Sequence, residues 1–191
     1  MFQNDGYCYC CDSRTQFVAT SDWWRDDYRC TNCDSIPRER ALMFCIERFF
    51  PQWRSLSIHE SSPVLGRGAN RRLAKEAPAY IASHYYPGVA PGTIVNGIRC
   101  ENLEHLSFGD ESFDLHLTQD VFEHLFDPAA ACHEIARTLR PDGALMAFSG
   151  HGNRLGECSL SEAKRTWQSN LPAAHAHHLM GCTRGWPFST T

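Results

Sequence analysis

Between Pro128 and Leu139 apolar residues recur at spacings of four: Ala131, Ile135 and Leu139 share one face of a helix, and Pro128 suits its first turn. Upstream, Ser35-Ile36-Pro37-Arg38-Glu39-Arg40 reads as a helix start with Ser35 as its cap. Apolar helical spacing continues through Ala41–Ile46 to about Phe50, where Pro51 stops it, and Cys45 falls on its core side. From Ser55 the pattern changes to short apolar runs alternating with helical stretches. Leu56-Ser57-Ile58 predicts a strand ended by His59-Glu60, followed by a loop over 61–68 and a helix over Ala69–Tyr80. Ile81-Ala82-Ser83, a weaker run over Thr93–Arg99, and Phe113–Thr118 predict further strands. Pro141-Asp142-Gly143 predicts a tight turn into a strand over Ala144–Phe148. Strands and helices in alternation predict an α/β domain with a Rossmann-like, doubly wound parallel sheet.

The alternation stops after Phe148. The stretch His151–Thr191 is dominated by Gly, Ser, Thr and His, so an exposed, poorly ordered tail and a sheet incomplete at its C-terminal side are expected. His175, His177, His178 and Cys182 have metal-binding chemistry, but a His-rich tail is the plainer reading. Burial of Leu160, Trp167, Leu171 and Trp186 against the sheet would contradict it. An open sheet edge would also invite self-association.

Near the N-terminus, chemistry overrides periodicity. Cys8 and Cys11, then Cys30 and Cys33, form two C-x-x-C pairs separated by 18 residues, a zinc-ribbon spacing. Four thiolates leave no open coordination position, so the implied Zn²⁺ is structural. Cys10 lies inside the first pair and competes with Cys11 as a ligand; free or disulfide-bonded thiols are the alternative. Between the pairs, two short strands are expected, one holding Gln16-Phe17-Val18 and one opened by Trp23-Trp24.

The 191 residues carry a net charge of −4 and a pI near 6.2, which gives no electrostatic footprint for nucleic acid or an anionic membrane. Nothing approaches the roughly 20 apolar residues of a membrane span, and the first residues lack a signal-peptide pattern. Paired knuckles without a leader point to a reducing, cytoplasmic setting. The expected organisation is a zinc-ribbon module over 1–36, a linking helix over 37–54, an α/β domain over 55–150 and an atypical tail over 151–191.

Three runs in order carry a family resemblance: Phe108-Gly109-Asp110-Glu111-Ser112-Phe113-Asp114-Leu115, Asp120-Val121-Phe122-Glu123-His124-Leu125-Phe126-Asp127-Pro128, and Glu134–Gly143. Together they resemble a class I S-adenosylmethionine-dependent methyltransferase of the type 11-like group, over roughly Ser55–Phe148. Some relatives in bacterial sugar and natural-product pathways also have a zinc-binding segment before that fold. The resemblance implies S-adenosylmethionine as cofactor, bound beyond the carboxyl ends of the strands. The family's glycine-rich first turn is replaced here by His59-Glu60-Ser61-Ser62-Pro63, with Gly66 and Gly68 following. Glu60 is expected to pair the cofactor's amino group, or else to be a solvated strand-end carboxylate. Ser83-His84-Tyr85 stands where relatives offer an acid to the ribose, and Glu101-Asn102 where the adenine amine is bound. The expected cofactor residues are therefore Glu60, Gly66, Gly68, His84, Glu101, Asn102 and Asp120. No catalytic residue is fixed by the resemblance; His124 is the candidate, and capping or packing is the alternative for Glu123 and His124.

Two functions follow. One is methyl transfer from S-adenosylmethionine to a small-molecule acceptor, weakened or lost to the extent that the altered turn and tail impair it. The alternative is a non-catalytic interaction protein that joins a zinc ribbon to a degenerate methyltransferase-like domain.

Overall fold

A computed structural model describes residues 1–148 and the backbone of residues 178–181. The first sheet is built by the cysteine pairs. Strand β1 (Phe2–Cys8) turns at the first knuckle into β2 (Ser13–Ala19), and β2 pairs with the short β3 (Arg29–Cys30), all antiparallel. Trp23-Trp24 does not open a strand. Asp27 accepts Thr20 N–H at 2.7 Å and Ser21 N–H at 2.5 Å, which curls the chain into the one-turn helix α1 (Trp24–Asp27). Asn4 to Tyr7 form a strand that the sequence reading left unassigned.

Helix α2 (Pro37–Phe49) follows. Its N-cap is Ile36 rather than Ser35, and Glu39 reaches back to accept the Ile36 N–H at 2.9 Å. Ser35 is instead fully buried beside the cysteines. A 3₁₀ turn at Trp53–Ser55 leads into β4 (Ile58–Ser61), which is displaced from the predicted Leu56–Ile58. All four β4 residues are buried, so His59 and Glu60 lie inside the strand and do not end it. Helix α3 (Gly68–Glu76) is shorter than predicted, because Tyr80 already belongs to β5 (Tyr80–His84). The weak run at 93–99 is a hairpin of β6 (Ile94–Val95) and β7 (Ile98–Cys100), turned by Asn96 and Gly97 at φ 51° and 82°. Then come β8 (Phe113–Gln119), a 3₁₀ turn at Phe122–His124, α4 (Pro128–Thr138), β9 (Leu139–Phe148) and β10 (His178–Gly181). Asp127 caps α4 by accepting Ala130 N–H at 3.0 Å. The Pro141–Gly143 turn survives as an irregularity in the β8–β9 ladder, where Phe113 faces Leu139 but Leu115 faces Ala144.

The second sheet has the order β10-β9-β8-β4-β5-β7-β6, parallel except for the β6–β7 hairpin. Strand order reverses between β4 and β8, so this pair is the topological switch point, where open α/β sheets place ligands. The sheet continues past β9 with a parallel strand, where the sequence predicted no further strand; His175, Cys182, Leu160, Trp167, Leu171 and Trp186 lie outside the described residues.

One sheet face joins the cysteine module in a single core. Ile58, Leu115, Leu117 and Met146 pack with α2 residues Leu42, Met43 and Ile46, and that cluster runs on to Phe17, Cys8, Cys30 and Cys33. Arg72 stitches the same seam: its buried guanidinium reaches Glu47 at 2.7 Å, Glu76 and Asp12 at 3.2 Å, and the Tyr9 carbonyl. The opposite face packs Phe113, Leu139 and Leu145 against Ala131 and Ile135 of α4.

Candidate functional site

At the switch point a cleft of about 190 Å³ opens beyond the carboxyl ends of β4, β5, β7 and β8. Its walls include Ser61, Ser83, Tyr85, Asn102, Asp120 and His124. Ser62 and Asp120, the residues that follow β4 and β8, both adopt left-handed φ values, 52° and 53°. Such non-glycine conformations cost about 1 kcal/mol or more and are held here by backbone bonds, Ser62 N–H to Ser83 O and Asp120 N–H to Phe148 O, both 2.7 Å.

The floor is a row of hydroxyls. Ser83, Ser61 and Thr118 are register partners on adjacent strands, so their side chains share a face. Ser61 Oγ and Thr118 Oγ1 are buried without a hydrogen-bond partner among the described residues. Buried polar atoms are rarely left so, and Ser61 lines the cleft. Sequence reasoning missed Ser61 and Thr118, and the signal was there: two hydroxyl residues at the ends of the two strands that flank the switch point.

Beneath the row runs a buried polar chain. His59 Nε2 meets Ser83 Oγ at 2.8 Å, His59 Nδ1 meets His116 Nδ1 at 2.9 Å, and His116 Nε2 meets Thr138 Oγ1 at 2.9 Å. Burial pushes the His59 pKa down to about 3, with the Arg99 charge adding to it, and burial beside His59 holds His116 well below the ordinary value.

The predicted site residues divide between this cleft and other places. Glu101, Asn102, Asp120 and His124 line the cleft. Glu101 is saturated, taking Arg99 Nε at 2.6 Å, Ser107 N–H at 2.9 Å and Ser107 Oγ at 2.5 Å. Asn102 Oδ1 already accepts Glu104 N–H at 3.0 Å, which takes one of its two lone pairs and fixes the orientation of the amide. Asp120 holds two cations, Arg25 of the cysteine module at 2.7 Å and Arg38 of α2 at 3.0 Å.

Glu60 is neither solvated nor at the cleft. It points to the other sheet face, fully buried, and accepts from Tyr80 Oη at 2.5 Å and Gln119 Nε2 at 3.4 Å. Burial pushes its pKa up to about 7 against those hydrogen bonds. The same network continues from Tyr80 through Asn70 to the Gly66 N–H, both steps 2.8 Å. Gly66 thus fastens the loop before α3. Gly68 has φ +49° with the Glu39 carboxylate 2.6 Å from where a Cβ would sit, so it permits close helix approach. His84 Nε2 lies 3.0 Å from the Pro63 carbonyl and braces that loop from β5.

The four predicted metal ligands do converge. The sulfurs of Cys8, Cys11, Cys30 and Cys33 all lie within 4.8 Å of one another. Cys8–Cys33 is 3.7 Å and Cys11–Cys30 is 3.8 Å, close to the ~3.8 Å edge of a tetrahedron with Zn–S bonds of about 2.3 Å. Ser35 Oγ lies 3.3 Å from Cys8 and 3.2 Å from Cys33, with one proton to give, and the Asn32 N–H donates to Cys30 at 3.4 Å. Such N–H and O–H contacts suit thiolates. Cys10, buried next to Cys8, stands outside the four-sulfur group.

Residues 74–147 match the family described as Methyltransferase domain. Solved structures similar to the chain include the [4+2]-cyclase SpnF, with 18% identity and a TM-score of 0.44 over 57% of this chain and 43% of that one. A putative sarcosine dimethylglycine methyltransferase from Galdieria sulphuraria has 20% identity and a TM-score of 0.41 over 58% and 48%. A putative S-adenosyl-L-methionine-dependent methyltransferase from Methanococcus maripaludis has 17% identity and a TM-score of 0.38 over 68% and 70%. The chain spans less than half the length of the first two. No curated protein matches it. The matched stretch contributes β5 to β9 of the second sheet, and so supplies every cleft wall except the β4 end. No described helix is long and apolar enough to cross a membrane.

Proposed function

We propose that the cleft at the β4–β8 switch point binds S-adenosylmethionine and that the chain transfers its methyl group to a small-molecule acceptor. The observation that carries this reading is Ser61 Oγ, a buried oxygen with no hydrogen-bond partner among the described residues, in a cleft lined mainly by the stretch that matches the methyltransferase-domain family. When bound, the cofactor supplies an electrophilic methyl on a sulfonium sulfur, so this chain's residues have mainly to orient and enclose. Ser61 and Asn102 offer hydrogen bonds, and Leu103, Val121 and Leu125 offer apolar walls. Exposed Tyr85 and the almost fully exposed Phe126 rim the opening as an aromatic contact for an acceptor. His124, exposed at the same rim, is placed to take the proton that an amine or hydroxyl acceptor releases.

We also assign Zn²⁺ to Cys8, Cys11, Cys30 and Cys33 as a structural ion, since all four positions are protein sulfur. Its module helps shape the cleft through Arg25 on Asp120. Calorimetric titration of zinc-loaded protein with S-adenosylhomocysteine tests the cofactor reading. Saturable binding that is weakened at least several-fold in Ser61→Val supports it, and absence of heat at millimolar ligand would end it.

A further inference from the structure

The buried chain under the cleft has a direction, and that direction fixes what Ser83 can offer a ligand. At its far end Thr138 Oγ1 lies 2.9 Å from the Glu134 carbonyl and 3.2 Å from that of Ile135. Carbonyl oxygens only accept, so the threonine proton points at them, and the 2.9 Å contact with His116 Nε2 is made by the ring's N–H. A neutral imidazole has one N–H. The Nδ1 of His116 is therefore a bare acceptor, and His59 Nδ1, 2.9 Å away, must donate to it. His59 Nε2 is then bare in turn and takes the proton of Ser83 Oγ at 2.8 Å.

Neutrality of both rings follows from their setting. His59 and His116 are at most 1% exposed, and among the described residues no carboxylate bonds to either. An imidazolium in that place would be an uncompensated buried charge. Reversing the chain would aim the Thr138 proton at His116 and leave its oxygen against two carbonyl oxygens with nothing between them.

We propose that Ser83 is an acceptor-only ligand contact: its single proton is held inward by His59, so the cleft sees only oxygen lone pairs. It selects a ligand group that donates, a hydroxyl or an ammonium, over a carboxylate or phosphate oxygen. Ser83 lines the cleft, and its side chain makes no other hydrogen bond among the described residues. An ordinary serine hydroxyl rotates to suit either partner; this one does not, because turning it would orphan His59 Nε2 at full burial. The inference rests on the cofactor reading above, and S-adenosylmethionine has both kinds of donor, on its ribose and on its amino-acid end.

Two measurements test it. Long-range proton–nitrogen correlation spectra of the histidine rings report the tautomers of the unliganded protein. Nδ1–H on His59 with Nε2–H on His116 is expected, and the reverse pair overturns the proposal. Calorimetry then compares wild type and Ser83→Ala with S-adenosylhomocysteine, its 2′- and 3′-deoxy forms and its N-acetyl form. The variant is expected to lose roughly three- to tenfold in affinity for the parent compound, the worth of one neutral hydrogen bond. It should lose nothing for the one analogue that lacks the donor Ser83 contacts, which tells ribose hydroxyl from ammonium. Equal loss for all the compounds, or none for any, overturns the role of Ser83 while leaving the cofactor reading intact. Failure of the wild type to bind the parent compound removes both.

Discussion

Acidification should pull on this fold in two opposite directions, and one substitution separates them. His59 is depressed to about 3 in the folded state against an ordinary 6.5, and His116 lies well below 6.5 as well. Below pH 6.5 the unfolded chain takes up two protons that the native chain refuses, so stability falls as pH falls. From pH 7.5 to 5.0 each histidine costs about 2 kcal/mol, or about 4 for the pair, at 1.36 kcal/mol per pH unit. Glu60 has the other sign. Its folded pKa is raised to about 7 from 4.5, so between those values the native state binds the extra proton and stability rises on acidification. Over the same interval it returns about 2 kcal/mol. Wild type should thus lose about 2 kcal/mol from these three groups, and Glu60→Gln should lose about 4. Urea unfolding at pH 7.5 and 5.0, read by far-ultraviolet circular dichroism, gives both numbers. Acid loss of metal from the cysteines is common to the two proteins and cancels in their difference. Equal pH slopes for wild type and Glu60→Gln would refute the assignment of Glu60 as a buried, proton-hungry carboxylate. A slope in His116→Asn as steep as in wild type would do the same for the histidine pair.

Metal analysis should give one zinc per chain, retained in Cys10→Ser and lost in Cys30→Ser, because Cys10 stands outside the four-sulfur group. Gly68→Ala should destabilise by more than 1 kcal/mol in thermal or urea unfolding, since it adds a methyl against Glu39 at a left-handed φ. Arg72→Leu should cost about 1.5–3 kcal/mol in the same assay, because the Tyr9 carbonyl and the carboxylates lose a buried charged donor while Arg54 still pairs Glu47 and Glu76. Arg25→Ala should leave zinc content unchanged but speed hydrogen exchange at 119–125, where Asp120 loses one of its two cations; unchanged exchange there would count against the brace.

The parts legible in the sequence were those set by short-range pattern. The α4 stripe, the β8 alternation and the C-x-x-C pairs each contain their own evidence within a few residues. What escaped was set by tertiary partners. Glu60 reads as a strand-end carboxylate until Tyr80 and Gln119 are brought to it from two neighbouring strands. His59 and His116 are 57 positions apart and meet only through strand register. The Asn102 amide is oriented by Glu104 two residues on, a bond no periodicity announces. Ser35, read as a helix cap, was claimed by two sulfurs. The Asn96-Gly97 hairpin, by contrast, was legible from turn chemistry and simply went unread.

The shared core between the cysteine knuckles and the sheet has a consequence for biosynthesis. Cys8, Phe17 and Cys30 emerge from the ribosome first, yet their cluster closes only when Leu115, Leu117 and Met146 arrive some hundred residues later. At roughly 5–20 residues per second the young ribbon waits several seconds or longer with its apolar side uncovered. Zinc captured in that interval gives the waiting segment a fold of its own. Cells starved of the ion should therefore lose this protein during translation, to proteases acting on unfinished chains, before any molecule is complete.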